Sequence, residues 1–212
     1  MNIITISRQF GSGGREFGKR LSEKLGYDYY DREIISSISE KLKLDEKYIE
    51  NMSEKIYVEQ FNFHFGLSFS GNNDSSIDIL KTQTEIIHDI AKKGENFIII
   101  GRAADCLLKE YKPFNIFVYA DMPSKIKRCL DREENFTDKD IKIIENKIKK
   151  IDSQRSKFYS MISDGKWGEK ERYNLLINTS NVHIKDIINS AAEYSTAFFN
   201  TINTPFEHQY NF

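Results

Sequence analysis

Hydrophobic positions change their period along this chain, and each change marks an element. Ile3 to Ser7 is a short apolar, β-branched run, the pattern of a strand buried on both faces. Arg8 to Gly14 contains Gly11, Gly13 and Gly14 and reads as a turn. From Arg15 to Leu25 the apolar positions Phe17, Leu21 and Leu25 share one helical face, with Gly18 near it and Gly26 at the expected C-cap. Asp28 to Tyr30 predicts a second strand. Asp31 follows, placed either to cap a helix from about Arg32 to Leu42 or to touch a ligand. A further helix is predicted from Asp45 to about Tyr57, and another from a Ser76 cap to Lys93, closed by Gly94. Strands at 96–100 and 115–119 follow, the first ending in Gly101 and Arg102 with a short helix to about Tyr111. Pro123 suits the first turn of a helix carrying Arg128 and Arg132. Thr137 and Asp140 resemble a capping box opening a long helix, 138 to about 162. A strand from Tyr173 to Ile177 and a helix from about His183 to Phe198 complete the pattern. Strands alternating with helices predict an α/β fold with a five-stranded parallel sheet flanked by helices on both faces. In such folds ligands bind at the carboxyl ends of the strands.

Two stretches break the pattern. In 57–74, Phe61, Phe63, Phe65 and Phe69 alternate with polar residues, but Gly66, Gly71 and an Asn pair interrupt them. The segment reads as a flap or insertion, with His64 as a packed residue. The second break lies in the long helix, whose stripe runs Ile141, Ile144, Ile148, Ile151, Phe158 and Ile162. The same spacing puts Arg155 on the apolar face. A guanidinium there needs a carboxylate or a bound anion, unless it snorkels to the rim. Asp152 stands three residues before it.

Composition narrows the class. A chain of 212 residues supports one sizeable core, so 1–212 is read as a single domain, with small insertions such as 57–74. A net charge of −1 argues against a broad nucleic-acid or membrane footprint. Cys106 and Cys129 lack metal-ligand spacing and read as reduced thiols, which with no expected leader points to the cytoplasm. The tail 203–212 is expected to be loosely held.

Strand, glycine loop, helix is the architecture of a phosphate cradle. Loop N–H groups point inward and the helix N-terminus adds its positive dipole end.

The blocks I-T-I-S-R-Q-F-G-S-G-G-R-E-F-G-K, Y-Y-D-R-E-I-I, I-I-I-G-R-A-A-D, D-S-Q-R-S-K-F-Y and K-W-G-E-K-E-R-Y-N-L-L-I-N-T-S together resemble the cytidylate kinase-like branch of the P-loop nucleoside monophosphate kinases. The resemblance spans residue 3 to about 180. It implies a three-layer P-loop NTPase fold and ATP- and Mg²⁺-dependent phosphoryl transfer to a small phosphate acceptor, with CMP or dCMP favoured. The expected partners are small-molecule nucleotides, with a homodimer left open. In this fold the glycine loop holds the ATP phosphates, so the candidate cradle here is Arg8, Gly11, Ser12, Gly13, Gly14, Arg15 and Glu16. The resemblance implies that Arg102 faces the acceptor phosphate; Asp31, at the end of the second strand, is the further candidate to touch the acceptor. The resemblance also implies a lid region at about 128–158, from which Arg128, Arg132 and Arg155 reach the phosphates as the lid closes, with Asp152 orienting Arg155 or the base.

The loop departs from the family at its end. Where those kinases read G-x-G-K-G-T, this chain has Gly11-Ser12-Gly13-Gly14-Arg15-Glu16, so Gly14 takes the lysine's place and Glu16 that of the magnesium-facing hydroxyl. Sliding the frame to Gly13-x-x-x-x-Gly18-Lys19 puts the lysine more than a turn inside the helix. Arg15 is the expected substitute, with Arg8 entering from the other side. Glu16 could hold Mg²⁺, or pair with Arg20 along the helix. The variant loop leaves open a nucleotide-binding or sensing protein without turnover, or a kinase of another small molecule.

Overall fold

The computed structural model describes residues 1–49, 73–132 and 140–203. The flap expectation at 57–74 falls almost wholly outside these residues, as do His64, Thr137 and the tail beyond 203.

β1 (Ile3–Arg8) runs into α1 (Gly14–Leu25), then β2 (Asp28–Tyr30) and α2 (Glu33–Leu42). After 46–49, which are helical, come α3 (Asn73–Lys92), β3 (Phe97–Ile100) and the short α4 (Ala104–Leu107). β4 (Phe114–Tyr119) leads to α5 (Met122–Leu130), α6 (Ile141–Ile162), β5 (Leu175–Asn178) and α7 (Ile188–Asn203). The five strands form one parallel sheet ordered β2-β3-β1-β4-β5.

Alternation along the strands divides the core. Ile3, Phe97 and Ile99 face α2 and α3, where Ile34, Ile38 and Ile87 cover them. Ile4, Ile6, Ile98, Ile100, Ile116 and Val118 face the other way, under Phe17 and Leu21 of α1 and Ala191 and Phe199 of α7. Gly18 lets α1 sit this close. A Cβ there would overlap Ile100 Cδ1 and lie 3.1 Å from Ile6 Cδ1.

Several local expectations are corrected. α3 begins at Asn73, ahead of the expected Ser76 cap. α2 has Arg32 at its N-cap in helical backbone geometry and no side-chain cap bond, so Asp31 does not cap it. Asp140 likewise precedes α6 in helical geometry, without a cap bond. The stripe of α6 is carried by Ile144, Ile148, Phe158 and Tyr159, while Ile141 is 41% exposed. Tyr159 donates a 2.6 Å hydrogen bond to the buried Asp105 of α4. Arg132 lies in the turn beyond α5 rather than on the helix.

Candidate functional site: a glycine cradle ringed by arginines

β1 delivers the loop at the carboxyl edge of the sheet, between β3 and β4. The Gln9 N–H donates to the Val118 carbonyl at 2.9 Å, pinning the loop to β4. Ser12 closes a tight turn with its N–H and hydroxyl on the Gln9 carbonyl, at 3.3 and 2.8 Å. Gly11 and Gly13 adopt left-handed backbone, φ 75° and 81°, which only glycine takes without strain. Phe17 N–H then meets the Gly13 carbonyl at 2.9 Å as α1 begins. The first turn of a helix leaves its leading N–H groups without an intrahelical carbonyl, so those of Gly14, Arg15 and Glu16 lie at an anion-favouring terminus.

The arginines meet at the strand ends. Arg15 Nε is ion-paired with Asp31 Oδ2, and Arg8 Nη2 lies 3.9 Å from Asp31 Oδ1. Arg155 leaves the apolar stripe of α6 to donate from Nη1 to the Arg8 carbonyl at 2.9 Å. Arg102 stands past the end of β3 in left-handed backbone, φ 62°, followed by Ala103 at φ 50°. Two consecutive non-glycine residues in that region store strain of the kind found at ligand sites. Burial pushes Arg8 well below its ordinary value, Arg155, Arg102 and Arg15 push the same way, and Asp31 opposes them. The guanidiniums of Arg15, Arg102 and Arg155 therefore all act on that of Arg8, with Asp31 shared between Arg8 and Arg15, a concentration of positive charge that favours an anion.

α6 is fastened over the loop. Asp152 Oδ1 accepts the Phe10 N–H at 2.6 Å, and Oδ2 lies 3.3 Å from the buried ammonium of Lys125 on α5. Lys125 also reaches Gln9 Oε1 at 3.2 Å. Asp152 thus braces the loop, besides lying 4.0 Å from Arg155. Lys147 Nζ sits 5.8 Å from the centroid of the Phe10 ring, and Arg155 5.9 Å from it. The resulting cavity, about 130 Å³, has Arg8, Gly11, Gly13, Gly14, Arg15, Arg128, Arg132, Lys147 and Arg155 in its lining. Sequence reasoning missed Gln9, Lys125 and Lys147. Lys125 shares with Cys129 the i, i+4 face of α5 that the fold turns to Gly11.

A second, wider cavity of about 600 Å³ adjoins the first, between the start of α1, the end of α5 and the turn 181–185. Arg128 and Arg132 line both cavities. Arg128 is held by the carbonyls of Thr179 and Val182. Thr179 in turn donates to the Ser12 carbonyl at 2.7 Å, tying this wall to the loop. Burial and the neighbouring Arg132 lower the Arg128 pKa. Glu16 is turned onto Arg20, 2.9 Å away, with Arg132 at 3.9 Å. Among the described residues no group of three or more His, Cys, Asp or Glu side chains is arranged to hold a metal.

A glycine loop between the first strand and first helix of a parallel sheet, with cations converging on it from the later helices, defines the P-loop kinase class of α/β proteins. The solved structures agree on the fold. An uncharacterized protein from Eubacterium ventriosum superposes with a TM-score of 0.67 at 24% identity, over 93% of this chain and 99% of that one. Shikimate kinase from Acinetobacter baumannii gives 0.52 at 14% identity, over 93% and 94%. The model of the cytidylate kinase-like family matches residues 3–181, and the chain belongs to that family. A cytidylate kinase from Saccharolobus islandicus (strain L.S.2.15 / Lassen #1) is 27% identical over 194 residues, covering 91% of this chain and 89% of the relative. Family and fold together support phosphoryl transfer and use of ATP. Among the described residues no helix is long and apolar enough to cross a membrane.

Proposed function

We propose that this protein is an ATP-dependent kinase of a small phosphate acceptor, with a nucleoside monophosphate such as CMP or dCMP as the favoured substrate. The observation that carries this reading is the group of guanidiniums beside the glycine loop: Arg15 paired with Asp31, Arg8 3.9 Å from the same carboxylate, Arg155 on the Arg8 carbonyl, and Arg102 close enough to act on the charge of Arg8. Phosphoryl transfer asks the protein for positioning and charge neutralisation more than for covalent chemistry. Such a cluster supplies both.

In this reading the loop amides and the first turn of α1 take the donor phosphates, and the wider cavity beside Arg128 takes the nucleoside. Arg102 holds the acceptor phosphate, with Asp31 setting the orientation of Arg15 between the two. A phosphate oxygen of the acceptor attacks the γ-phosphorus, the bond to the β-phosphate oxygen breaks, and ADP leaves. Arg155 and Arg132 come from the lid side and offset charge on the transferred group. Mg²⁺ enters with the nucleotide, whose phosphates supply its ligands.

One observation favours a second reading. Gly14 stands where the loop lysine belongs, and Arg15, its nearest substitute, is already paired with Asp31. A protein that binds nucleotide without turnover would look like this. An ADP-release assay over a panel of nucleoside monophosphates and unphosphorylated acceptors, with and without Mg²⁺, separates the two. The kinase reading expects acceptor-stimulated ADP formation that needs Mg²⁺. Nucleotide binding with no ADP from any acceptor would establish the second.

A further inference from the structure

When the lysine of the pattern G-x-x-x-x-G-K is placed at Gly14, the first glycine of the pattern falls at position 8, where this chain has Arg8. Both ends of the loop therefore differ at once, and the fold presses them together. A Cβ at Gly14 would stand 2.5 Å from Arg8 Cβ and 2.9 Å from Arg8 Cγ. Gly14 is not among the glycines with positive φ, so its backbone does not ask for glycine. What excludes a side chain there is the stem of Arg8.

The head of Arg8 lies at a telling place. Its guanidinium rests on Gly101, where a Cβ would overlap Nη1. Gly101 follows β3 and directly precedes Arg102, so the charge sits between the donor loop and the backbone that carries the acceptor arginine. The Arg8 side chain is only 17% exposed, and the carboxylate of Asp31, 3.9 Å away, is already paired with Arg15. We propose that Arg8 and Gly14 are a reciprocal exchange: the cation that neutralises the donor's terminal phosphate has moved from the last position of the loop to the first, and residue 14 is glycine because Arg8 fills its space. Arg15 is then an acceptor-side residue held by Asp31. The inference rests on the kinase reading for its ligand, but its packing half stands without it.

The test compares full-length wild type with Arg8→Met, Arg8→Lys, Arg8→Gly, Gly14→Lys and the pair Arg8→Gly with Gly14→Lys, by calorimetry with ATP, ADP and adenosine. Arg8→Met keeps the stem and removes the charge. It should weaken ATP by at least about tenfold, the worth of a lost charge-assisted hydrogen bond, and leave adenosine unchanged, while Arg8→Lys retains most of the affinity. The double variant should bind ATP at least about tenfold more tightly than Arg8→Gly, for the same reason, and Gly14→Lys alone should be worse than wild type. ATP binding by Arg8→Met equal to wild type, or a double variant no better than Arg8→Gly, would overturn the exchange. Wild type that binds no nucleotide defeats the kinase reading instead. Melting curves then decide the packing half: Gly14→Ala should lower the Tm in wild type and not in Arg8→Gly, and equal shifts in both backgrounds would refute it.

Discussion

Lys125 and Asp152 meet 3.3 Å apart beneath the glycine loop, one from α5 and one from α6, and the free oxygen of Asp152 takes the Phe10 N–H at 2.6 Å. Their side chains are 7% and 15% exposed, so neither charge can be left to water. The pair joins the loop to both helices that frame it, and sets where Arg155 and Lys147 stand over the cradle.

Removing one partner strands the other. Asp152→Leu should cost about 3 kcal/mol of stability, the scale for an uncompensated buried charge. The double replacement Lys125→Met with Asp152→Leu should recover most of that, while losing the grip on Phe10. Urea denaturation of the single and double variants gives the coupling directly. Additive losses would mean that the two side chains act separately.

The close approach of α1 to the sheet depends on Gly18. Gly18→Ala introduces a methyl where Ile100 and Ile6 already stand, and should destabilise by about 1–3 kcal/mol, as overpacked cores do. Ile100→Val in the same chain should relieve part of the loss. Thermal melts of the two variants check this.

Asp105 and Tyr159 form a buried acid–phenol pair away from the cradle, and it makes stability depend on pH. Burial raises the Asp105 carboxyl above its ordinary range, and the hydrogen bond from Tyr159 only partly offsets this. A carboxyl whose folded pKa is raised contributes stability below its unfolded pKa and loses it as pH climbs through the folded value. Asp105→Asn should therefore gain on wild type as pH rises from the ordinary carboxylate range, near about 4, towards neutrality. Tyr159→Phe should cost about 1.5–3 kcal/mol near neutral pH, where the ionised carboxylate loses its donor, and less in acid. Unfolding titrations at several pH values test both slopes. A Tyr159→Phe penalty independent of pH would contradict the assignment.

Much of this was legible in the sequence, for physical reasons. β1, α1 and the loop between them carry strong local signals: a β-branched run, glycines at left-handed positions and a four-residue apolar repeat. The out-of-place Arg155 was visible as a charge on an apolar stripe, and it does point at the loop. Of the two readings of Asp31, the helix cap rests on a local propensity and fails, whereas its partners Arg8 and Arg15 reach it only through the fold. Lys125 and Lys147 lie on charged helices where lysine ordinarily faces water, so their convergence on Gln9, Asp152 and Phe10 has no one-dimensional signature. The contact of Arg8 with Gly14 is likewise invisible before β1 and α1 are folded against each other. Tyr159 was passed over because counting from Ile144 in fours and threes lands on Phe158, while both residues are buried.

The most direct measurement is the phosphorus NMR spectrum of wild-type protein incubated with ATP, Mg²⁺ and each nucleoside monophosphate in turn. The kinase reading expects ADP and a nucleoside diphosphate to appear in equal amounts with at least one acceptor, CMP or dCMP first among them, and expects Arg102→Ala to abolish both. ATP that stays intact with every acceptor, or that yields only ADP and inorganic phosphate, would contradict it.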